Sequence, residues 1–228
     1  MPASAFDLPS PPPHVAAHLP GAMLLRQALL ASIRTVPAGE TFIRAAWNTA
    51  SIFPHRVDVA YRFGPPPAWR RDGAFPFHWI YAAADDMTAV WEAGFCRNDV
   101  TDPGTFYVAP GAEAALIASL RFDVELALID LSGITLSKLG LSDDISSPDH
   151  EGTQWLGCMI DAVIAEQDGR IAGIGYPSRK QRGHRAFALS SRAIGVLAPA
   201  LTVTRQRFGD SAACAMLMAD PCRRPPPR

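Results

Sequence analysis

Several groupings in this 228-residue chain could do chemistry. Gly173-Ile174-Gly175 follows a short apolar run and could open a dinucleotide-binding turn, where a pyrophosphate meets a helix N-terminus. That chemistry needs a third glycine opening a helix, and the next residues are Tyr176-Pro177-Ser178-Arg179-Lys180. Ser178 could be a hydrolase nucleophile, but no Gly-x-Ser-x-Gly elbow surrounds it. His14 and His18 are four apart, a spacing zinc can use, yet they sit in a Pro-rich arm with no third ligand nearby. Solvated histidines are the simpler reading, and no metal is expected. Arg179, Lys180, Arg182 and Arg185 form a basic run. Such a run is usually a solvated loop, but it can also draw in an anionic substrate or an acidic partner.

Three more segments carry an arginine, a glutamate and a serine. They are Val59-Ala60-Tyr61-Arg62-Phe63, then Trp79-Ile80-Tyr81-Ala82 followed by Ala89-Val90-Trp91-Glu92, then Gly175-Tyr176-Pro177-Ser178. Singly, each has a bland reading. Arg62 is a surface ion-pair partner at a strand end. Glu92 is a solvated helix residue, Tyr81 is core, and Ser178 is a turn residue. Gln154, within Thr153-Gln154-Trp155-Leu156-Gly157, is a helix-surface amide.

The elements that must position these residues can be read from periodicity and turn chemistry. Residues 1 to about 20 form a Pro-rich arm, and Ala22–Ile33 has helical spacing. Val57–Phe63 is β-like and stops at Pro65-Pro66-Pro67. Phe77–Ala82 is a second strand. Asp85-Asp86 offers an N-cap for a helix to about Phe95. Thr105–Ala109 reads as a short strand and Leu120–Leu131 as a longer one. Asp149–Glu166 has helical periodicity. Ile171–Tyr176, Ala186–Leu189 and Leu201–Phe208 read as strands. Strands outnumber helices and alternate with them unevenly, which favours α+β over a doubly wound parallel sheet.

Composition sets the boundaries. The chain is 48% hydrophobic and 19% charged, a globular balance. Its net charge of −1 gives no global field for nucleic acid or anionic lipid. No direct nucleic-acid binding is therefore expected. The N-terminus lacks a basic, then apolar, leader, and no run of about 18 apolar residues could span a membrane. Cys96, Cys158, Cys214 and Cys222 form no closely spaced pair, so a reducing, cytoplasmic setting is expected.

Read together, the order and spacing of the Arg62, Tyr81–Glu92 and Ser178 segments resemble the RES-domain family. Thr153-Gln154-Trp155-Leu156-Gly157 resembles the family's Thr-Gln-x-Leu-Gly helix, and Phe187-Ala188-Leu189 its closing strand. The resemblance runs from about Val57 to Phe208. It implies an α+β, ADP-ribosyltransferase-like mixed β core over residues 56–210. Residues 1–55 would then be a Pro-rich arm with a helix, and 211–228 a C-terminal tail. It also implies a toxin that consumes NAD as substrate, without a metal, and is neutralised by an Xre-type antitoxin. In that setting Arg62 would take the pyrophosphate, Glu92 the developing ribose cation, and Tyr81 the nicotinamide ring. Ser178 would hydrogen-bond the ribose or the substrate's polar edge, and Gln154 would assist binding. An antitoxin carboxylate would meet the mouth formed by Arg62, Ser178 and the Arg179–Arg185 run. Hydrolysis and phosphorolysis of NAD stay open. So do ADP-ribose transfer to a protein or nucleotide, an NAD-binding module without turnover, and a homodimer.

Overall fold

The computed structural model describes residues 10–141 and 150–227. Its centre is an eight-stranded sheet. In chain order the strands are β1 (Ile33–Val36), β2 (Thr41–Ala46), β3 (Trp79–Ala83), β4 (Cys96–Asn98), β5 (Phe106–Val108), β6 (Leu116–Phe122), β7 (Leu126–Asp130), β8 (Gly173–Pro177), β9 (Arg185–Ser190) and β10 (Leu201–Arg207). The sheet runs β1-β7-β8-β9-β3-β2-β6-β10, and β4 pairs with β5 apart from it. Only β7 and β8 are parallel neighbours. A parallel pair needs a long crossover. Here it contains α4 (Ile134–Leu139) and α5 (Glu151–Ala165). The remaining helices are α1 (Pro13–Ala16), α2 (Ala22–Ala31), α3 (Asp86–Glu92), α6 (Ile194–Leu197) and α7 (Ala212–Ala219). The architecture is α+β with a mixed sheet, as the uneven alternation of elements implied.

Three apolar clusters hold the layers together. Leu25 and Leu29 of α2 and Leu156, Ile160 and Ile164 of α5 bury against Ile129 and Ile174 of the sheet. Phe95, Phe208, Val90 and Leu217 build a second cluster under α3 and α7. Phe42, Leu120, Phe122 and Leu128 build a third with Leu189 and Leu197. Each such side chain contributes about 1.5–3 kcal/mol when fully buried.

Two expectations need correction. Val57–Phe63 is not a strand: residues 57–64 are bends and a turn. Apart from the local turn bond from the Gly64 N–H to the Tyr61 carbonyl, their backbone bonds go to side chains instead of a ladder. The Phe63 N–H donates to the Tyr81 hydroxyl at 3.0 Å, and the Phe63 carbonyl accepts from Trp79 Nε1 at 2.5 Å. Leu120–Leu131 is two strands, β6 and β7. The chain bends at residues 123–125 between them, so β6 pairs with β2 and β10 while β7 pairs with β1 and β8. The segment 1–55 supplies β1 and β2 besides its helices, and β2 lies between β3 and β6. The segment 211–228 supplies α7, which buries Ala213, Cys214 and Leu217. The first nine residues and Asp149, where the long helix was expected to begin, lie outside the described residues.

One contact holds the turn 61–64 against α5. A Cβ on Gly157 would stand 2.0 Å from the Phe63 carbonyl oxygen and 2.8 Å from its Cα. In a free helix, Gly→Ala gains about 0.8–1.0 kcal/mol of propensity. At this position the overlap is with backbone, and overpacking of that kind costs about 1–3 kcal/mol. Gly157→Ala is therefore expected to lower the urea midpoint of unfolding. A raised midpoint would show that propensity outweighs the contact.

Candidate active site

Helix α3 starts and stops on clear signals. Asp85 caps its N-terminus, accepting from the Thr88 N–H at 2.8 Å. Gly94, at φ 72°, ends it. The Phe95 N–H bonds to the Val90 carbonyl at 3.0 Å and the Gly94 N–H to Trp91 at 3.2 Å, the paired closure of a Schellman motif. Ending there, three residues short of the expected Phe95, places Glu92 in the last helical turn. A carboxylate at a helix C-terminus opposes the dipole. Its compensation comes from Ser178, whose hydroxyl donates to Glu92 Oε1 at 2.6 Å.

Ser178 is itself fixed. Its oxygen accepts from the Lys180 and Gln181 N–H groups, each at 3.1 Å, and its own N–H bonds to the His184 carbonyl. The basic run is thus a closed loop after β8. Two more contacts bind that loop to α3. Thr88 Oγ1 lies 3.0 Å from the Gln181 side-chain amide, and His184 Nδ1 lies 2.9 Å from Asp85 Oδ2.

Glu92 faces a cavity of about 260 Å³ between β2, β3, α3, the turn at 61–62 and Tyr176 of β8. Arg44, Arg62 and Arg179 line it, with Glu92 the one carboxylate among the lining residues. Arg44 donates from Nη1 to the Tyr81 carbonyl and from Nε to the Ser51 carbonyl at 2.8 Å. Burial lowers its pKa to about 10, against the raising influence of Tyr61 and Tyr81. Arg62 is buried, and its pKa is lowered by burial and by the charge of Arg179, while Tyr176, Glu92 and Tyr81 oppose the shift. The Lys180 pKa is lowered by burial and by the charge of Arg179, with Glu92 opposing. Burial pushes the Tyr176 and Tyr81 hydroxyls above their ordinary value, so both stay protonated near neutral pH. Arg179 Nε is buried and makes no hydrogen bond among the described residues. The site is a desolvated cationic pocket in a chain of net charge −1.

Of the residues expected to act, Arg62, Tyr81 and Glu92 line the cavity. Ser178 is 2% exposed and does not line it; it orients Glu92. Gln154 is buried and also stands outside the lining. Its Nε2 donates to the Tyr61 carbonyl at 3.4 Å, supporting the turn that carries Arg62. The Tyr81 ring lies 5.9 Å from the Tyr61 ring, edge to face. Tyr61 is 56% exposed and Trp47 is 46% exposed, so these two offer freer aromatic surface at the cavity. Sequence reasoning missed Arg44, Trp47 and His150 among the lining residues. Arg44 had one signal: it is a lone charge within Phe42-Ile43-Arg44-Ala45-Ala46.

The RES domain family model matches residues 41–208 of the chain. Among solved structures, the toxin chain of the M. tuberculosis MbcT–MbcA toxin–antitoxin complex superposes with a TM-score of 0.52 at 18% identity, over 84% of this chain and 96% of that one. At that identity the likeness is one of fold. No curated protein is detectably similar in sequence.

The Asp85 contacts make the site's framework acid-sensitive. Burial raises the Asp85 carboxyl, but the Thr88 N–H, His184 and the Thr88 hydroxyl together hold its pKa below the ordinary value. A depressed carboxyl contributes stability above its unfolded pKa, about 3.9, and loses it as pH falls through the lower folded value. The urea midpoint should therefore drop on acidification from about pH 5 to about pH 3, and Asp85→Asn should flatten part of that drop. Superimposable pH profiles would remove Asp85 as a source.

Proposed function

The chain belongs to the RES-domain family, and on that footing we propose that it is a toxin that cleaves the nicotinamide–ribose bond of NAD and is neutralised by an Xre-type antitoxin. The observation that carries the reading is Glu92, held by Ser178, in one cavity with the buried Arg62 and the half-buried Arg44 and Arg179. A cavity of about 260 Å³ is near the small end of ligand pockets, about 300–1,000 Å³. It suits one half of a dinucleotide, with the other half lying across the mouth.

The chemistry follows from charge. When the C1″–N1 bond breaks, its electron pair returns to the pyridinium nitrogen and nicotinamide leaves neutral. The positive charge passes to the ribose as an oxocarbenium-like centre. Glu92 stabilises that cation through the oxygen not held by Ser178. Water or phosphate then attacks C1″; for water, its proton goes to solvent. The NAD pyrophosphate is anionic, and guanidinium forks suit it. Arg62 and Arg179 supply them, and the buried Arg179 Nε gains an acceptor. Tyr61 and Tyr81 bring aromatic edges to the nicotinamide end. An antitoxin carboxylate can occupy the same arginines and so block the site.

The test is nicotinamide release from NAD by the purified chain. Glu92→Gln should slow it about 10²–10³-fold. NAD binding should survive, because the cation develops in the transition state. Arg62→Lys should weaken both affinity and rate, since the planar fork is lost. Free ADP-ribose or its 1″-phosphate marks hydrolysis or phosphorolysis, and a labelled protein adduct marks transfer. Full turnover by Glu92→Gln would remove its catalytic role. Undiminished NAD and normal growth in a host making the soluble chain alone would count against the toxin reading.

A further inference from the structure

Strand β10 is one edge of the sheet, and it is unusually bare. Thr202 to Arg207 are all exposed. Its pairing with β6 is antiparallel throughout, from Leu201↔Phe122 to Arg207↔Leu116. The bonds at its two ends fix which backbone groups are used. The Ala200 carbonyl accepts from the Asp123 N–H at 2.9 Å, and the Phe208 N–H donates to the Ala115 carbonyl at 2.8 Å. In an antiparallel ladder the bonded pairs alternate. The even-numbered residues therefore face β6. The N–H and C=O groups of Val203, Arg205 and Arg207 point away from the sheet.

Beside this edge runs a groove of about 540 Å³. Its walls are the segment 49–56, with Ile52, Phe53, His55 and Arg56, and the Val203 and Arg205 side chains of β10. The lining contains no carboxylate. Arg56 pairs with Asp58 at 3.5 Å, and both side chains are more than 70% exposed, so that pair holds it weakly. Arg207 continues the row of positive charge along the strand, which carries neither aspartate nor glutamate.

We propose that the open edge of β10, with this groove, docks an extended acidic segment of a partner protein as an added antiparallel or parallel strand. Three features fit that one occupant. The outward N–H and C=O groups bond to an extended backbone. Val203 and Phe53 give an apolar seat for one side chain of it. Arg56, Arg205 and Arg207 pair with carboxylates beside that seat. Charged side chains on an edge strand guard against unwanted pairing. An all-cationic row guards against neutral and basic strands and selects acidic ones. It also disfavours a second copy of this chain, because pairing β10 with itself crowds two arginine rows with no carboxylate on either strand. The proposal is independent of NAD cleavage and uses none of the residues assigned to it.

The experiment uses the full chain with fluorescein-labelled seven-residue peptides alternating Glu with Val or Thr, read by anisotropy, and a Lys-for-Glu set as control. The acidic set should bind and the lysine set should not, and added salt should weaken binding. Arg56→Glu with Arg205→Glu should weaken it at least tenfold. Val203→Pro should abolish it while preserving the fold, because the lost N–H faces away from β6. Amide exchange should slow at Val203 and Arg205 on peptide addition, equally in the parent and in Glu92→Gln. No binding by any acidic probe, equal binding of the lysine set, or protection at Tyr61 and Arg62 instead would overturn the proposal. So would a dimer in sedimentation that Val203→Pro dissociates, which would assign the edge to a second copy.

Discussion

The backbone of Phe63 is the point on which the site depends. Its N–H is held by the Tyr81 hydroxyl and its carbonyl by the Trp79 indole, both side chains of β3. Its ring stacks edge to face on Tyr176 of β8 at 5.0 Å. Its carbonyl lies where any side chain at Gly157 would be. A turn of three prolines and a glycine would otherwise follow its own preferences. Here two strands and a helix over-determine it, and the neighbouring Arg62 is carried into the cavity as a result. Buried polar backbone needs partners at a cost of about 1–3 kcal/mol each when missing. Trp79 and Tyr81 supply partners that β pairing does not.

The second constraint is electrostatic. Gathering Arg44, Arg62 and Arg179 around a small cavity is unfavourable in the empty protein, since burial and mutual repulsion both act against the charged forms. Charge desolvation without full pairing is among the larger penalties a fold carries. Arg44 offsets its share with two backbone carbonyls. Glu92 offsets part of the Arg62 penalty. Arg179 Nε has no such compensation among the described residues. An anion in the cavity would relieve that penalty, which is why clustered, desolvated charges point to a functional site.

The sequence marked the fold class and several residues that meet at or beside the cavity. The order of Arg62, Tyr81, Glu92 and Ser178 named residues that the fold brings to one place, although none of them is close in sequence to the others. The caps did the same for α3, because Asp85 and Gly94 are local signals. What the sequence hid was non-local. Residues 57–63 have strand composition, but tertiary contacts with Trp79 and Gly157 override it. Leu120–Leu131 is continuous in pattern, and the bend at residues 123–125 that separates its two strands contains neither glycine nor proline to mark it. β2 went unread because Thr41-Phe-Ile-Arg-Ala-Ala has little alternation, and Arg44 was lost with it. Ser178 and Gln154 were legible as types and not as roles: both act on other residues of the site, and a side chain's exposure cannot be read from one sequence.

The segment from Trp47 to Arg56 joins these strands of argument. Trp47 and Ser51 face the arginine-lined cavity, while Ile52 to Arg56 face the groove along β10. The segment has little regular structure beyond one short turn of 3₁₀ helix, Thr49–Ser51, capped by Asn48. It is held by the buried Ile52, by Phe53 packed beside it, by Trp47 against Phe95, and by two bonds, the Ser51 carbonyl to Arg44 and the Pro54 carbonyl to the His78 ring. This one wall is shared by both surfaces. The acceptor that compensates buried Arg44 therefore belongs to the same stretch of chain that forms one side of the open sheet edge. The geometry of the cavity cannot be treated as a property of β2, β3 and α3 alone, because part of its charge compensation is held in place from the outside of the sheet.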